Sequence, residues 1–210
     1  MPVIHLVRHA QASFGAADYD VLSPIGPEQA SATGRALAAR KPRDPLVVAG
    51  SLTRQRETAR AVAEAVGAAE PVGEDLRLNE YDFITMVSGG KVATDGDPQK
   101  ALDRLLLAWI EQDAPDGWQA FSGGALAAVT ELGARLGQGR DGIAVTSGGV
   151  IAAICGALLG LPPAGVVAVN RVMVNTSITT LLVGARGLNL LTLNDHAHFT
   201  GDAENLRTYR

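Results

Sequence analysis

Cysteine is nearly absent: Cys155 is the only one in 210 residues. One thiol can form neither an internal disulfide nor a thiolate metal cage, and its place in the apolar run 151–161 reads as a buried, inert side chain. That usage suits a reducing compartment, so a cytoplasmic protein is expected. Dense runs of Lys and Arg are also lacking, and the net charge is −4. Neither a nucleic-acid nor a membrane-surface partner is expected, and any anionic ligand must be held by a local cluster. The start of the chain has no basic segment before its short apolar stretch, which argues against a signal peptide. No unbroken apolar run is long enough to span a bilayer. The nearest, 150–169, is interrupted by Gly156, Gly160 and Pro162-Pro163, so a buried helix followed by a turn is expected there. No internal repeat or low-complexity tract occurs.

What is present is ordinary for a folded domain. Apolar residues are 47% and charged residues 19%, too apolar for disorder, and the length suits one sizeable core over 1–210 with room for a small insertion. Short β-branched runs at 2–7, 45–50 and 142–146 read as buried strands. Two more, 177–184 and 188–194, flank the turn-like Ala185-Arg186-Gly187 and read as a hairpin or as close neighbours. Helical spacing predicts helices over 27–40, 53–66, 99–112, 118–136 and 149–159, the first with Pro27 in its opening turn. Strands alternating with helices predict an α/β protein, a three-layer α/β/α sandwich around a mainly parallel sheet. The segment 83–124 breaks the rhythm and is expected to be a small inserted lid.

In open α/β sheets, ligands bind beyond the carboxyl ends of the strands. That rule selects Arg8-His9, the stretch 51–54, and Ser147-Gly148-Gly149 as three distant segments meeting at one edge. Their residue types suit a phosphate monoester. Arg8 and Arg54 each offer a planar fork of N–H donors to a doubly charged group. An imidazole with a pKa near neutrality, such as His9, is a competent nucleophile.

The order of short motifs carries more weight than any one of them. Leu6-Val7-Arg8-His9 is followed by Leu22-Ser23-Pro24-Ile25-Gly26 with Gln29-Ala30. Ser51-Leu52-Thr53-Arg54 with Thr58-Ala59, Leu78-Asn79-Glu80 before Phe83, Ser147-Gly148-Gly149 and Asn175-Thr176-Ser177 come next. This series resembles the histidine phosphatase (phosphoglycerate mutase-like) superfamily over nearly the whole chain, most weakly across the expected lid. The resemblance implies that His9 is phosphorylated during turnover, that Arg8 and Arg54 bind the phosphoryl group, and that Glu80 is the general acid. Asp82 and Asp75 are the neighbouring alternatives. It also implies a small phosphorylated substrate and no cofactor or metal, since the arginines supply the positive charge. The motifs do not fix an oligomeric state. Gln11 and Ser13, just past the nucleophile, are further candidates for phosphate contact, with turn solvation the competing reading. The family's usual glycine is Ala10 here, and Phe14-Gly15 stand where it favours an asparagine.

One departure bears on activity. Most active members carry a second histidine where this chain has Ser147. Ser147 is expected to cap the following helix and contribute a weaker contact to phosphate. Alternatively, His196 or His198 folds back into the site, or the site binds phosphate without turning it over. Losing one transition-state donor costs ~10²–10³ in rate, against enhancements of up to ~10²¹ for phosphate monoesters. A slower enzyme is therefore expected. Phosphoglycerate-mutase-type transfer is the alternative reaction, and a phospholigand-binding protein the non-enzymatic one.

Overall fold

The computed structural model describes residues 1–13, 19–81 and 98–209. Its centre is a six-stranded sheet whose inner strands are built on the apolar runs. In chain order the strands are β1 (Val3–Arg8), β2 (Leu46–Ala49), β3 (Gly73–Glu74), β4 (Gly142–Thr146), β5 (Ile178–Gly184) and β6 (Gly187–Asp195). The spatial order is β3-β2-β4-β1-β5-β6. The four strands from β3 to β1 run parallel, and β5 and β6 add an antiparallel edge.

Register brings the carboxyl ends of the inner strands level. Arg8 of β1 pairs with Thr146 of β4, and Ala49 of β2 pairs with Val145. The segments after these three strands must therefore leave the sheet side by side.

The helices are α1 (Gly26–Ala39), α2 (Thr53–Val66), α3 (Pro98–Gln112), α4 (Trp118–Leu136), α5 (Gly148–Leu159) and α6 (Pro163–Val172). Strand side chains alternate between faces. Ile4, Leu6, Val48 and Ala144 meet Leu132 of α4 and Ile151 of α5 on one side. Val7, Val47, Ile143 and Val145 meet Leu37 of α1 and Val62 of α2 on the other. Strands β2 and β4 are buried at every position, which is why they read as unbroken apolar runs.

Two expectations need correction. The region after α5 is not merely a turn: Pro163 opens α6, where its fixed φ and missing N–H suit a first helical position. Of the expected lid 83–124, residues 83–97 lie outside the described residues. The rest forms α3 and the first turns of α4, which continues past Gly124 without a break, so 124 marks no boundary. Among the described residues, no helix is long and apolar enough to cross a membrane.

Candidate active site

His9 follows β1 directly, and the turn that holds it is pinned from two sides. The Thr58 hydroxyl of α2 accepts from the Ala10 amide at 3.0 Å and donates to the Arg54 carbonyl at 2.7 Å. On the other side, the Thr176 amide and the Asn175 side-chain N–H both reach the His9 carbonyl at 3.4 Å. Thr176 adopts φ 57°, a left-handed conformation that costs a β-branched residue energy and recurs at functional sites.

The imidazole is 5% exposed and its tautomer is set by its neighbours. Nδ1 lies 2.7 Å from the Ala10 carbonyl; a carbonyl only accepts, so Nδ1 carries the hydrogen and Nε2 keeps its lone pair. Arg54 Nε donates to that Nε2 at 3.1 Å. Burial, reinforced by the charges of Arg54 and Arg8, holds the His9 pKa well below 6.5. The ring is therefore held in its neutral form, with the Nε2 lone pair facing Arg54.

Arg54 belongs to the first turn of α2 and is aimed by Asp20. One Asp20 carboxylate oxygen accepts from Arg54 Nη1 at 2.6 Å and the other from the Thr53 amide at 2.7 Å. The Arg54 guanidinium carbon sits 5.1 Å from the centre of the Tyr19 ring. Arg8 is held by donating through Nη1 to the carbonyls of Met173 and Tyr209. Its Nε is buried and has no hydrogen-bond partner among the described residues, an arrangement that an anionic ligand would relieve.

Glu80 comes after the 3₁₀ turn Leu76–Leu78. Its carboxylate accepts from the Gly149 amide in the first turn of α5 at 3.1 Å and from the Tyr81 amide at 3.2 Å. Burial pushes its pKa up, against the opposing pull of those two amides, Arg54 and Arg8. Gly149 has to be glycine: a Cβ there would lie 2.3 Å from Glu80 Oε1 and 2.4 Å from the Tyr81 ring.

Arg8, His9, Glu80 and Gly148 open onto a cavity of about 430 Å³, joined by Tyr81 and Asn175. A pattern of sequence shared by the histidine phosphatase superfamily (branch 1) matches residues 4–196.

The chain belongs to the histidine phosphatase superfamily.

A glucosyl-3-phosphoglycerate phosphatase from Mycolicibacterium vanbaalenii is 33% identical over 175 residues, covering 75% of this chain and 74% of that protein. The solved structure of a mycobacterial glucosyl-3-phosphoglycerate phosphatase with inorganic phosphate is 28% identical. It superposes with a TM-score of 0.67 over 95% of this chain and 100% of its own. A Bacillus stearothermophilus protein, YhfR, shares the fold at TM-score 0.72 and 21% identity, over 95% and 100% of the two chains.

Within this superfamily fold, Arg8, His9 and Glu80 line one cavity, and Arg54 joins them through its bond to His9 Nε2. The other candidates fall elsewhere. Ser147 is fully buried and stands at the start of α5, yet its hydroxyl makes no cap. It accepts instead from Gln55 Nε2 at 2.9 Å, and it does not line the cavity. The Gly149 amide in the first turn of α5 is taken by Glu80.

His196 and His198 do not reach the cavity either. His196 Nδ1 meets the Asn194 carbonyl at 2.7 Å, and His198 Nε2 meets the Thr33 hydroxyl of α1 at 3.0 Å. Gln11 accepts from the Ser23 hydroxyl at 2.8 Å, and Ser13 donates to the Leu22 carbonyl at 3.1 Å, so both brace a loop. Asp75 is paired with Arg77 at 2.7 Å, and Asp82 lies outside the described residues. Among the described residues, no three His, Cys, Asp or Glu side chains converge as a metal would require.

The sequence reading missed Asp20, Tyr81, Asn170 and Tyr209. Asn170 sits on α6, the helix taken for a turn, and Pro163 was the signal that could have exposed it. Tyr209 and Asp20 carry no motif; tertiary contacts alone bring them in.

Proposed function

We propose that the protein is a phosphoric monoester hydrolase that acts on a small phosphorylated molecule through a phosphohistidine at His9. The observation that carries this reading is the His9 ring: Nδ1 tied to a carbonyl, Nε2 unprotonated, and Arg54 Nε 3.1 Å from it. Phosphate oxygens entering the cavity would take donors from Arg54 and from the unpartnered Nε of Arg8. His9 Nε2 attacks phosphorus, the ester P–O bond breaks, and protonated Glu80 gives its proton to the departing alcohol oxygen. Glu80, now ionised, takes a proton from water as that water attacks the phosphohistidine, releasing inorganic phosphate and restoring His9. Positive charge comes from the arginines, so no step needs a metal.

The relatives named as glucosyl-3-phosphoglycerate phosphatases support hydrolysis of a small phosphate ester over transfer to a second alcohol. We assign the chain to a subgroup with Ser147 in place of the second histidine. The hydroxyl's engagement with Gln55 leaves that donor unreplaced, and turnover is slower as a result. The part of the expected lid that follows residue 97, namely α3, packs on α6 and α4 beside the cavity, and we place the substrate's alcohol beneath it. The buried, unpaired Cys155 supports a cytoplasmic location.

The test is turnover of p-nitrophenyl phosphate by the wild type and by His9→Ala, with acid quench to trap labelled enzyme. Hydrolysis and an acid-labile phosphoenzyme, both lost in His9→Ala, are expected. Hydrolysis that survives in His9→Ala would overturn the reading.

A further inference from the structure

All three tyrosines of the chain, Tyr19, Tyr81 and Tyr209, line the cavity that contains His9. Aromatic residues make up only 4% of the sequence, so this gathering is a concentration of ring surface at one place. Tyr81 is fixed from behind: its ring centre is 5.5 Å from that of Trp109 and 5.7 Å from that of Phe121, the latter edge-on. Its hydroxyl is bonded to the Asn170 side chain. Tyr19 covers Arg54, the phosphate-side cation. Tyr209 is positioned through its backbone, whose carbonyl receives Arg8 at 2.9 Å.

Two of these residues keep surface in contact with solvent. Tyr19 is 40% exposed and Tyr209 54% exposed, and Ala12 and Leu102 extend the same apolar wall. Ring surface gathered beside a phosphate site is suited to stacking on another ring, and that contact withdraws apolar area from water. The charge balance points the same way. Apart from Arg8, the cation among the described lining residues is Arg171, and Asp103 already pairs with it at 2.6 Å. A carboxylate on the alcohol would find its nearest cation already paired.

We propose that the three tyrosines form a cradle selecting phosphate monoesters whose alcohol carries a neutral, planar ring. This rests on the reading that the His9 site hydrolyses phosphate monoesters. It separates the chain from its relatives named for a phosphoglycerate substrate, because the selecting features are aromatic surface and an already paired arginine.

The experiment compares kcat/KM for benzyl phosphate, glycerol 1-phosphate, glucose 6-phosphate and 3-phosphoglycerate. All four are esters of primary alcohols, so intrinsic reactivity differs little. Benzyl phosphate is expected to lead by about tenfold, chiefly through KM, the effect of one or two ring contacts. Tyr209→Ala or Tyr19→Ala should shrink that lead, while Tyr209→Phe keeps it. Equal values across the panel, a lead for glucose 6-phosphate or 3-phosphoglycerate, or a lead untouched by both alanine variants would overturn the cradle and leave the phosphatase reading intact. If no ester is hydrolysed, the phosphatase reading fails by itself. Calorimetric binding of benzylphosphonate against propylphosphonate then decides the cradle: tighter binding of the ring compound supports it, and equal binding refutes it.

Discussion

Gln55 donates its side-chain N–H to the Ser147 hydroxyl at 2.9 Å, and both residues are fully buried. The same nitrogen reaches the Leu78 carbonyl at 2.9 Å, so the pair ties α2 and the start of α5 to the turn that carries Glu80. Ser147→Ala removes one buried hydrogen bond while Gln55 keeps its other acceptor. A stability loss of about 1–3 kcal/mol is expected, because one buried N–H of Gln55 loses its acceptor, read from chemical denaturation. Loss of kcat/KM should stay far below the ~10²–10³ that follows removal of a transition-state donor. A drop of that larger size would return Ser147 to the phosphate.

Arg54 does two things that a lysine cannot do together. It places Nε at His9 Nε2 and Nη1 at Asp20, which takes a rigid fork. Arg54→Lys keeps the charge and loses the geometry. Steady-state kinetics should show kcat/KM falling by ~10²–10³, with the thermal midpoint nearly unchanged. A loss below about tenfold would mean that charge alone suffices there and that the fork contributes little.

The parts of this molecule legible in the sequence share a physical reason. Strands buried on both faces are written as short β-branched runs, so β4 is apparent from Gly142 to Thr146, and α2 from Thr53 to Val66 by its apolar face. Because loops at the carboxyl ends of adjacent parallel strands must converge, the sequence alone brings Arg8, His9 and Arg54 to one edge. Ser147 shows where such reasoning stops. Its position is fixed by the fold, but its hydroxyl goes to whichever partner is nearest, and Gln55 comes from another element 92 residues away. The same holds for Tyr209 and Asp20, which enter the site through the tertiary path of the chain. The chemistry of His198 suits a phosphate site, but packing against Thr33 and Phe199 decides its place.

The pH profile should carry two limbs with assignable owners. On the proposed mechanism His9 reacts only when neutral, and burial with two neighbouring cations keeps its pKa well below 6.5. Activity therefore turns on as pH rises through that lowered value. Glu80 must hold a proton to give to the alcohol, and burial raises its pKa above 4.5, so activity falls as pH rises through that raised value. Glu80→Gln should abolish the alkaline limb and keep the acid one in kcat/KM against pH for an alkyl phosphate. With p-nitrophenyl phosphate, whose leaving group needs no proton, the penalty of this variant should be smaller. An alkaline limb that persists in Glu80→Gln would assign the acid to another group.

His5 makes the fold itself sensitive to acid. It lies on β1, 6% exposed, with Nδ1 at 3.1 Å from the Thr180 hydroxyl of β5. Burial, aided by the charge of Arg40 and opposed by Asp141, brings its pKa down from 6.5 to about 4. In the unfolded chain the same ring protonates near its ordinary value. Between those two values the unfolded state holds more protons, so stability is complete above 6.5 and is lost as pH falls toward 4. The contribution is on the order of 3 kcal/mol. His198, also lowered to about 4 by burial, adds loss of the same sign, so the wild type alone cannot isolate His5. His5→Gln removes the titration and keeps a hydrogen-bonding side chain beside Thr180. Denaturant midpoints near pH 7.5 and about pH 4.5 should show a clearly smaller acid loss for His5→Gln than for the wild type. Equal losses in the two proteins would mean that the buried ring on β1 is protonated as easily in the folded state as in the unfolded one.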